Sequence, residues 1–280
     1  MWGVSEDYFV QRNDALVKTK LSMSGISKTY GIGSSAVAAL DNISIDIEES
    51  DFVSVVGPSG CGKTTLLWII AGLQDATQGN LFLDDQVLDG PNPHIGMMFQ
   101  EANLLPWKNI RQNVELPFEI RKQSIPQERI AMLLERVGLS EFSESMPREL
   151  SGGMQQRAAI VRALAPDPDV LLMDEPFGAL DAFTRDEMNM LIEEIWMETG
   201  KTVVLITHSI EEAVFLSNKV HVLSARPGRL ERTVDVPFER KRTFDLIRTQ
   251  PFFEMVNEIK AVIRDERDGS TSTLVKSEVA

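Results

Sequence analysis

The segment Phe52-Val53-Ser54-Val55-Val56 is β-branched and almost wholly apolar. It runs without a break into Gly57-Pro58-Ser59-Gly60-Cys61-Gly62-Lys63-Thr64-Thr65 and on into Leu66-Leu67-Trp68-Ile69-Ile70. A strand that is apolar on both sides has to be covered on both faces. A glycine-rich turn between such a strand and an apolar helix lets successive backbone N–H groups curl toward one point, where the helix adds the positive end of its dipole. The spacing Gly57-x-x-x-x-Gly62-Lys63-Thr64 is the pattern of a phosphate-binding loop. Lys63 is expected to reach the β- and γ-phosphates of a nucleotide, and the Thr64 hydroxyl to ligate Mg²⁺. Cys61 lies inside this loop, so a bulky thiol reagent is expected to block turnover unless nucleotide is bound first.

Further along, Val170-Leu171-Leu172-Met173 is a second buried strand and ends in Asp174-Glu175. Buried charge is costly, so carboxylates there need a cation or a chemical task. At the carboxyl edge of an open α/β sheet both are available. Asp174 is expected to help hold Mg²⁺, and Glu175 to polarise an attacking water as general base. A third buried strand, Val203-Val204-Leu205-Ile206, ends at Thr207-His208, and His208 is placed to sense the γ-phosphate. His94 and His221 have no such setting and receive no role.

The organisation is that of strands alternating with helices, which predicts a parallel sheet covered on both faces. Helices are expected over Glu128–Val137, from Ser151 to about Leu164 (stopped by Pro166 and Pro168), over Asp186–Glu198, over Glu211–Ser217 and over 251–266. Ile43 to Ile47 alternates as a half-buried strand, Val220 to Leu223 is a further strand, and residues 80–99 give two or three short ones. Residues 1–20 are polar and form an N-terminal extension, with a short packed helix as the alternative. Residues 267–280 are expected to be a flexible tail. Gly31-Ile32-Gly33-Ser34-Ser35-Ala36 has no buried strand before it and no clear helix after it, so it is expected to be a hairpin loop rather than a dinucleotide fingerprint.

Composition narrows the function classes. Lys and Arg total 28 against 42 Asp and Glu in 280 residues, a net charge of −14. That balance argues against a dedicated nucleic-acid binder and against adsorption to anionic lipid. No apolar run approaches the roughly 20 residues needed to cross a bilayer, and the start lacks a basic region followed by an apolar one. The expected location is cytoplasmic, with any membrane contact made through another protein. The single cysteine fits a reducing compartment.

Leu150-Ser151-Gly152-Gly153-Met154-Gln155-Gln156-Arg157 places two glycines at a second helix start. That is another anion-binding helix end, and one nucleotide hardly needs two from the same chain. The economical reading is that Ser151 and Gly153 grip a nucleotide held by the loop of a second subunit.

With these segments the sequence resembles the ATP-binding cassette (ABC) ATPase family over about residues 21–266. Leu150 to Gln155 looks like the family signature, and Ala179-Leu180-Asp181 like its D-loop, with Gly178 where the family often has serine. Gln100, after Met97-Met98-Phe99, looks like the Q-loop glutamine, and His208 like the switch histidine. Tyr30 stands where the family stacks an aromatic ring on adenine, a strand-end tyrosine being the alternative. The resemblance implies an α/β fold: a P-loop NTPase (RecA-like) parallel-sheet core, an antiparallel β subdomain and an inserted α-helical subdomain over about 101–154. It implies ATP in contact with Tyr30, Gly57, Pro58, Ser59, Gly60, Cys61, Gly62, Lys63, Thr64, Thr65 and Gln100. Mg²⁺ would sit on Thr64, Gln100 and Asp174. Ser151, Gly152, Gly153, Gln155 and Asp181 would contact the ATP of the partner subunit.

Phe177-Gly178-Ala179-Leu180-Asp181-Ala182-Phe183-Thr184-Arg185 and Leu223-Ser224-Ala225-Arg226-Pro227-Gly228-Arg229 resemble the ATPase subunits of nitrate, sulfonate and taurine importers. The resemblance implies a homodimer under separate permease subunits, fed by a solute-binding protein. Leu104-Leu105-Pro106-Trp107 is expected either to face the permease or to form a subdomain core. The alternative function is a soluble ABC ATPase of DNA repair or translation. The chain has one loop and one signature 94 residues apart, too close for the large insertions of such proteins, and its charge disfavours nucleic acid. A small-molecule kinase would have no use for the Ser-Gly-Gly helix, and a non-catalytic scaffold none for Lys63, Glu175 and His208.

Overall fold

The computed structural model describes residues 18–275. Two long antiparallel strands, β1 (Thr19–Tyr30) and β2 (Val37–Glu48), are joined by a loop that includes a 3₁₀ turn at Gly33–Ser35. This is the hairpin expected there. Next come β3 (Phe52–Val56) and helix α1 (Lys63–Ile70), then β4 (Gln78–Leu83), β5 (Gln86–Val87) and β6 (Ile95–Met98). Helices α2 (Ile110–Arg121) and α3 (Gln127–Arg136) follow, with 3₁₀ turns at Ser140–Phe142 and Pro147–Glu149, and then α4 (Gly152–Leu164). The remainder is β7 (Val170–Asp174), α5 (Ala182–Thr199), β8 (Thr202–Ile206), α6 (Ile210–Leu216), β9 (Lys219–Leu223), β10 (Leu230–Asp235) and α7 (Gln250–Val275).

The central sheet has the order β10-β9-β3-β8-β7-β6, parallel except for β10, which returns antiparallel to β9. Its alternating side chains sort into two cores. Phe52, Val56, Leu171, Met173, Val203 and Leu205 pack with α4, α5, α6 and α7. Val53, Val55, Val170, Leu172, Val204 and Ile206 pack on the other face with α1 and the inner faces of β1 and β2. Period-2 alternation in an all-apolar strand therefore reports two apolar layers rather than one wet and one dry face. Each such buried side chain stabilises the fold by about 1.5–3 kcal/mol. The second sheet, β2-β1-β4-β5, is antiparallel.

Two expected boundaries move. Strand β1 begins at Thr19, inside the expected extension. Lys20 is buried, with ion pairs to Asp84 at 2.6 Å and Asp169 at 3.0 Å that tie the antiparallel sheet to the start of β7. The rest of the expected extension, residues 1–17, lies outside the described residues. At the other end, α7 continues to Val275, where a flexible tail from 267 was expected; residues 276–280 lie outside the described residues. Leu104 packs partly buried against the core while Trp107 is 70% exposed, so the Leu104–Trp107 stretch divides between the two expectations. His221 is buried, bonded through Nδ1 to Thr233, and its pKa is pushed down to about 4 by burial, which makes it a neutral core residue.

Candidate functional site

Parallel strands deliver their carboxyl ends to one edge, and register decides which residues meet there. Val55 is level with Ile206, and Ile206 with Asp174, so the loop after β3, the acids after β7 and the histidine after β8 emerge side by side. The Glu175 N–H donates to the Ile206 carbonyl at 2.8 Å, locking the acidic turn to β8.

The loop after β3 wraps the start of α1. Gly62 is the N-cap of that helix in the left-handed region, at φ 103°, where no side chain caps it. A Cβ at Gly62 would stand 2.8 Å from the Ala39 carbonyl oxygen and 2.7 Å from Leu40. Glycine here is required by both backbone and space. The first N–H groups of α1 are left to an anion. Lys63 lies across the loop, its Nζ donating to the carbonyls of Gly57 at 3.0 Å and Pro58 at 3.1 Å. Gly57, Ser59, Gly60, Gly62, Thr64 and Thr65 line a cavity of about 720 Å³ together with Lys63, Glu175 and His208. That is large enough for a nucleotide-sized ligand.

Thr64 Oγ1 donates to Asp174 Oδ1 at 3.3 Å. Burial pushes the Asp174 carboxyl above the ordinary carboxylate range; the Thr64 bond opposes this and the neighbouring Glu175 adds to it. An acid so placed favours a hard cation on oxygen donors, and a threonine hydroxyl beside it suits Mg²⁺. Glu175 sits in the left-handed region at φ 43°, which is unusual for a non-glycine residue and costs of order 1 kcal/mol. Its Oε2 lies 3.2 Å from His208 Nδ1. The acid and the histidine thus form one polar pair on the cavity wall. Gly178 is beside them, and a Cβ there would meet His208 Cε1 at an ordinary 3.5 Å, so nothing in the packing demands glycine at that position.

The remaining expected site residues lie elsewhere. Pro58 and Cys61 do not line the cavity; the Cys61 N–H donates to the Pro58 carbonyl at 3.3 Å. The Cys61 thiol is fully buried in the core beneath the loop, and burial pushes its pKa up against the pull of Lys63. The expectation of a reagent-accessible thiol is therefore corrected. Cys61 is expected to resist a bulky disulfide reagent in the folded chain and to react in full in denaturant, as followed by thiol absorbance; rapid labelling without denaturant would contradict this burial.

Tyr30 donates from its hydroxyl to Gln74 at 2.7 Å and lies 3.2 Å from the Thr65 hydroxyl, with Lys28 5.4 Å from its ring centre. It stands beside α1 but not on the cavity wall. Gln100 follows β6, its carbonyl held by Gln156 at 2.9 Å and its side chain exposed and outside the cavity.

Ser151, Gly152, Gly153, Gln155 and Asp181 are not part of this cavity within one chain. Ser151, Gln155 and Asp181 have local work. Ser151 caps α4 by accepting from the Met154 N–H at 3.3 Å, and Gln155 donates to the carbonyls of Pro147 and Leu150. Asp181 caps α5 through the N–H groups of Phe183 and Thr184, both at 3.1 Å, and the Thr184 hydroxyl at 2.7 Å; these bonds hold its carboxyl below the ordinary range. A Cβ at Gly153 would come within 2.6 Å of the Thr184 methyl. Arg226 was not expected at the site, yet it lines the cavity and donates from Nε to the Gly60 carbonyl at 3.1 Å.

A glycine-rich loop opening an uncapped helix, beside two acids and a histidine at one sheet edge, defines a P-loop nucleotide-hydrolase site. The family model described as ABC transporter matches residues 40–178. The chain is 42% identical over 264 residues to a nitrate import ATP-binding protein of Synechocystis, covering 91% of this chain and 98% of that one. It is 46% identical over 221 residues to a taurine import ATP-binding protein of Ruegeria pomeroyi, covering 78% and 82%. Among solved structures, a dimeric ATP-binding cassette in a post-hydrolysis state with ADP and Pi superposes with a TM-score of 0.68 at 34% identity, covering 78% of this chain and all of that one. The chain belongs to the ABC transporter ATP-binding family, and it is an ATP-binding and ATP-hydrolysing subunit.

Proposed function

We propose that two copies of this chain close head to tail over two ATP molecules and drive the import of a small anionic solute through separate permease subunits. The observation that carries the dimer is spatial. The uncapped start of α1, Glu175 and His208 share one cavity, with Asp174 tied to it through Thr64, while the Ser151–Gly153 start of α4 lies outside it in the same chain. A second copy supplies that helix end to the first copy's nucleotide, with Gly152, Gln155 and Asp181 near the same junction. The dimeric cassette structure supports this arrangement, and the nitrate and taurine import relatives support the solute class.

In each site Lys63 and the α1 N–H groups bind the phosphates. Glu175 accepts a proton from the attacking water while its Oε2 stays within reach of His208 Nδ1. Thr64 and Asp174 would hold Mg²⁺, which supplies charge neutralisation on the phosphates when bound. Gln100, at the end of β6, joins that set only if its exposed side chain turns inward. Tyr30, beside Thr65, borders the adenine end. Closing on ATP rather than ADP follows from γ-phosphate contacts that the diphosphate lacks. Among the described residues no helix is long and apolar enough to cross a membrane, so membrane contact falls to the permease partner. A solute-binding protein on the far side delivers the cargo.

None of this favours the DNA-repair or translation alternative: the relatives reported above are named import proteins, and the charge is −14. A tagged copy solubilised in mild detergent from its native membranes is expected to bring down integral-membrane permease chains. Recovery with ribosomes or nucleic acid instead, and with no membrane chain, would overturn the importer reading.

A further inference from the structure

The far wall of the nucleotide cavity is built by the C-terminal helix. Phe252, Val256 and Ile259 on α7 are buried at i, i+4 and i+7 against the sheet-side core, and Ile263 continues the stripe. Lys260, flanking that stripe, forms an ion pair at 2.6 Å with Glu211 in the first turn of α6, three residues after His208. So anchored, α7 brings Lys260, Ile263 and Arg264 to the cavity that Ser59, Lys63 and His208 also line.

The charge of this wall runs against the charge of the chain. The protein is acidic, at −14, yet the cavity is lined by Lys63, Arg226, Lys260 and Arg264 against the single carboxylate Glu175. Lys260 is spent on Glu211. Arg226 gives Nε to the Gly60 carbonyl, which leaves its two terminal nitrogens to the cavity. The loop carrying it is pressed onto the phosphate loop, for a Cβ at Gly228 would collide with the Cys61 carbonyl. No carboxylate in the described residues 18–264 forms an ion pair with Arg226 or Arg264, in a chain where carboxylates are in excess. Two guanidiniums lining one cavity that holds a single carboxylate among its described walls call for an anion, and a guanidinium matches a phosphate group in geometry as well as charge.

We propose that Arg264, from the C-terminal helix of the same chain and seconded by Arg226, binds the terminal phosphate of the nucleotide. This rests on the nucleotide reading of the cavity. On the nucleotide reading the terminal phosphate is the one that Glu175 and His208 border, and the turn of α7 that carries Lys260 and Arg264 is tied to α6 three residues after His208. The helix is thereby a reporter of the nucleotide state: ATP engages Arg264, and ADP leaves it without a phosphate.

The test is calorimetric titration of ATP and ADP into the full chain and its variants Arg264→Gln, Arg264→Lys, Arg226→Gln and Lys63→Ala. Arg264→Gln is expected to weaken ATP about tenfold while ADP stays within about twofold. Arg264→Lys is expected to restore most of the loss because the charge returns. Arg226→Gln is expected to weaken ATP by a smaller factor. An unchanged ATP-to-ADP affinity ratio in Arg264→Gln, whether both affinities hold or both fall together, would overturn the terminal-phosphate assignment. Lys63→Ala separates the two levels. If it loses ATP while Arg264→Gln does not, the arginine proposal fails alone. If Lys63→Ala also binds ATP normally, the nucleotide reading of the cavity fails with it.

Discussion

Replacing Glu175 by Gln is expected to lower steady-state ATP hydrolysis by about 10²–10⁴-fold while ATP is still bound. The amide keeps the size and polarity of the side chain but cannot accept the water's proton. Geometry makes the loss specific. Glu175 is held by the Ile206 carbonyl and sits in a left-handed turn beside His208. No other carboxylate among the described residues lines the cavity to stand in for it, and Asp174 is hydrogen-bonded to Thr64. Because binding survives and turnover does not, the variant is also expected to sediment as a dimer in ATP and as a monomer in ADP. Phosphate release and sedimentation velocity read the two halves separately. Hydrolysis within threefold of the parent would remove Glu175 as the base, and a monomer in saturating ATP would remove the head-to-tail closure.

Lys63→Ala is expected to weaken ATP by about 10- to 100-fold. The size follows from an exchange rather than from a bond gained outright. Lys63 has three protons, and in this structure two go to the carbonyls of Gly57 and Pro58, with Cys61 Sγ 3.9 Å from the same nitrogen. Phosphate binding trades at least one of these neutral acceptors for a charged one, and the difference is what the variant loses. Lys63 is buried, so its removal also frees two loop carbonyls. A circular-dichroism melt alongside the titration distinguishes a weakened site from a loosened loop. Unchanged ATP affinity in a folded variant would refute the cradle.

The local parts of this site were legible because local spacing encodes them. Gly57 to Thr64 carries its own backbone geometry, and an apolar strand ending in Asp174-Glu175 announces a liganded edge whatever the rest of the chain does. Ser151 reads as the opening of a helix, and α4 starts there with Ser151 as its N-cap. The unread parts depend on residues far apart in sequence. Arg226 meets Gly60 across 166 residues, and no pattern near either position points to the other. The direction of the Cys61 side chain is set by which side of the loop faces the core, so a reactive-looking thiol in a loop turned out to be a buried one. Asp268 to Val275 is small and polar, with no apolar stripe to mark it as helix, yet it continues a helix already anchored by Phe252, Val256 and Ile259. Gly153 is a glycine of the signature by resemblance, and packing gives it a further reason to be one: the Thr184 methyl occupies the space a side chain would need.

Thr184 gives that last contact a mechanical meaning. Its hydroxyl is committed to Asp181 while its methyl rests on Gly153. The heads of α4 and α5 therefore touch through Thr184, and one turn further in Arg157 and Glu187 join the same two helices at 3.1 Å. Whatever docks against this corner therefore meets two helix heads held side by side rather than two separate fingers.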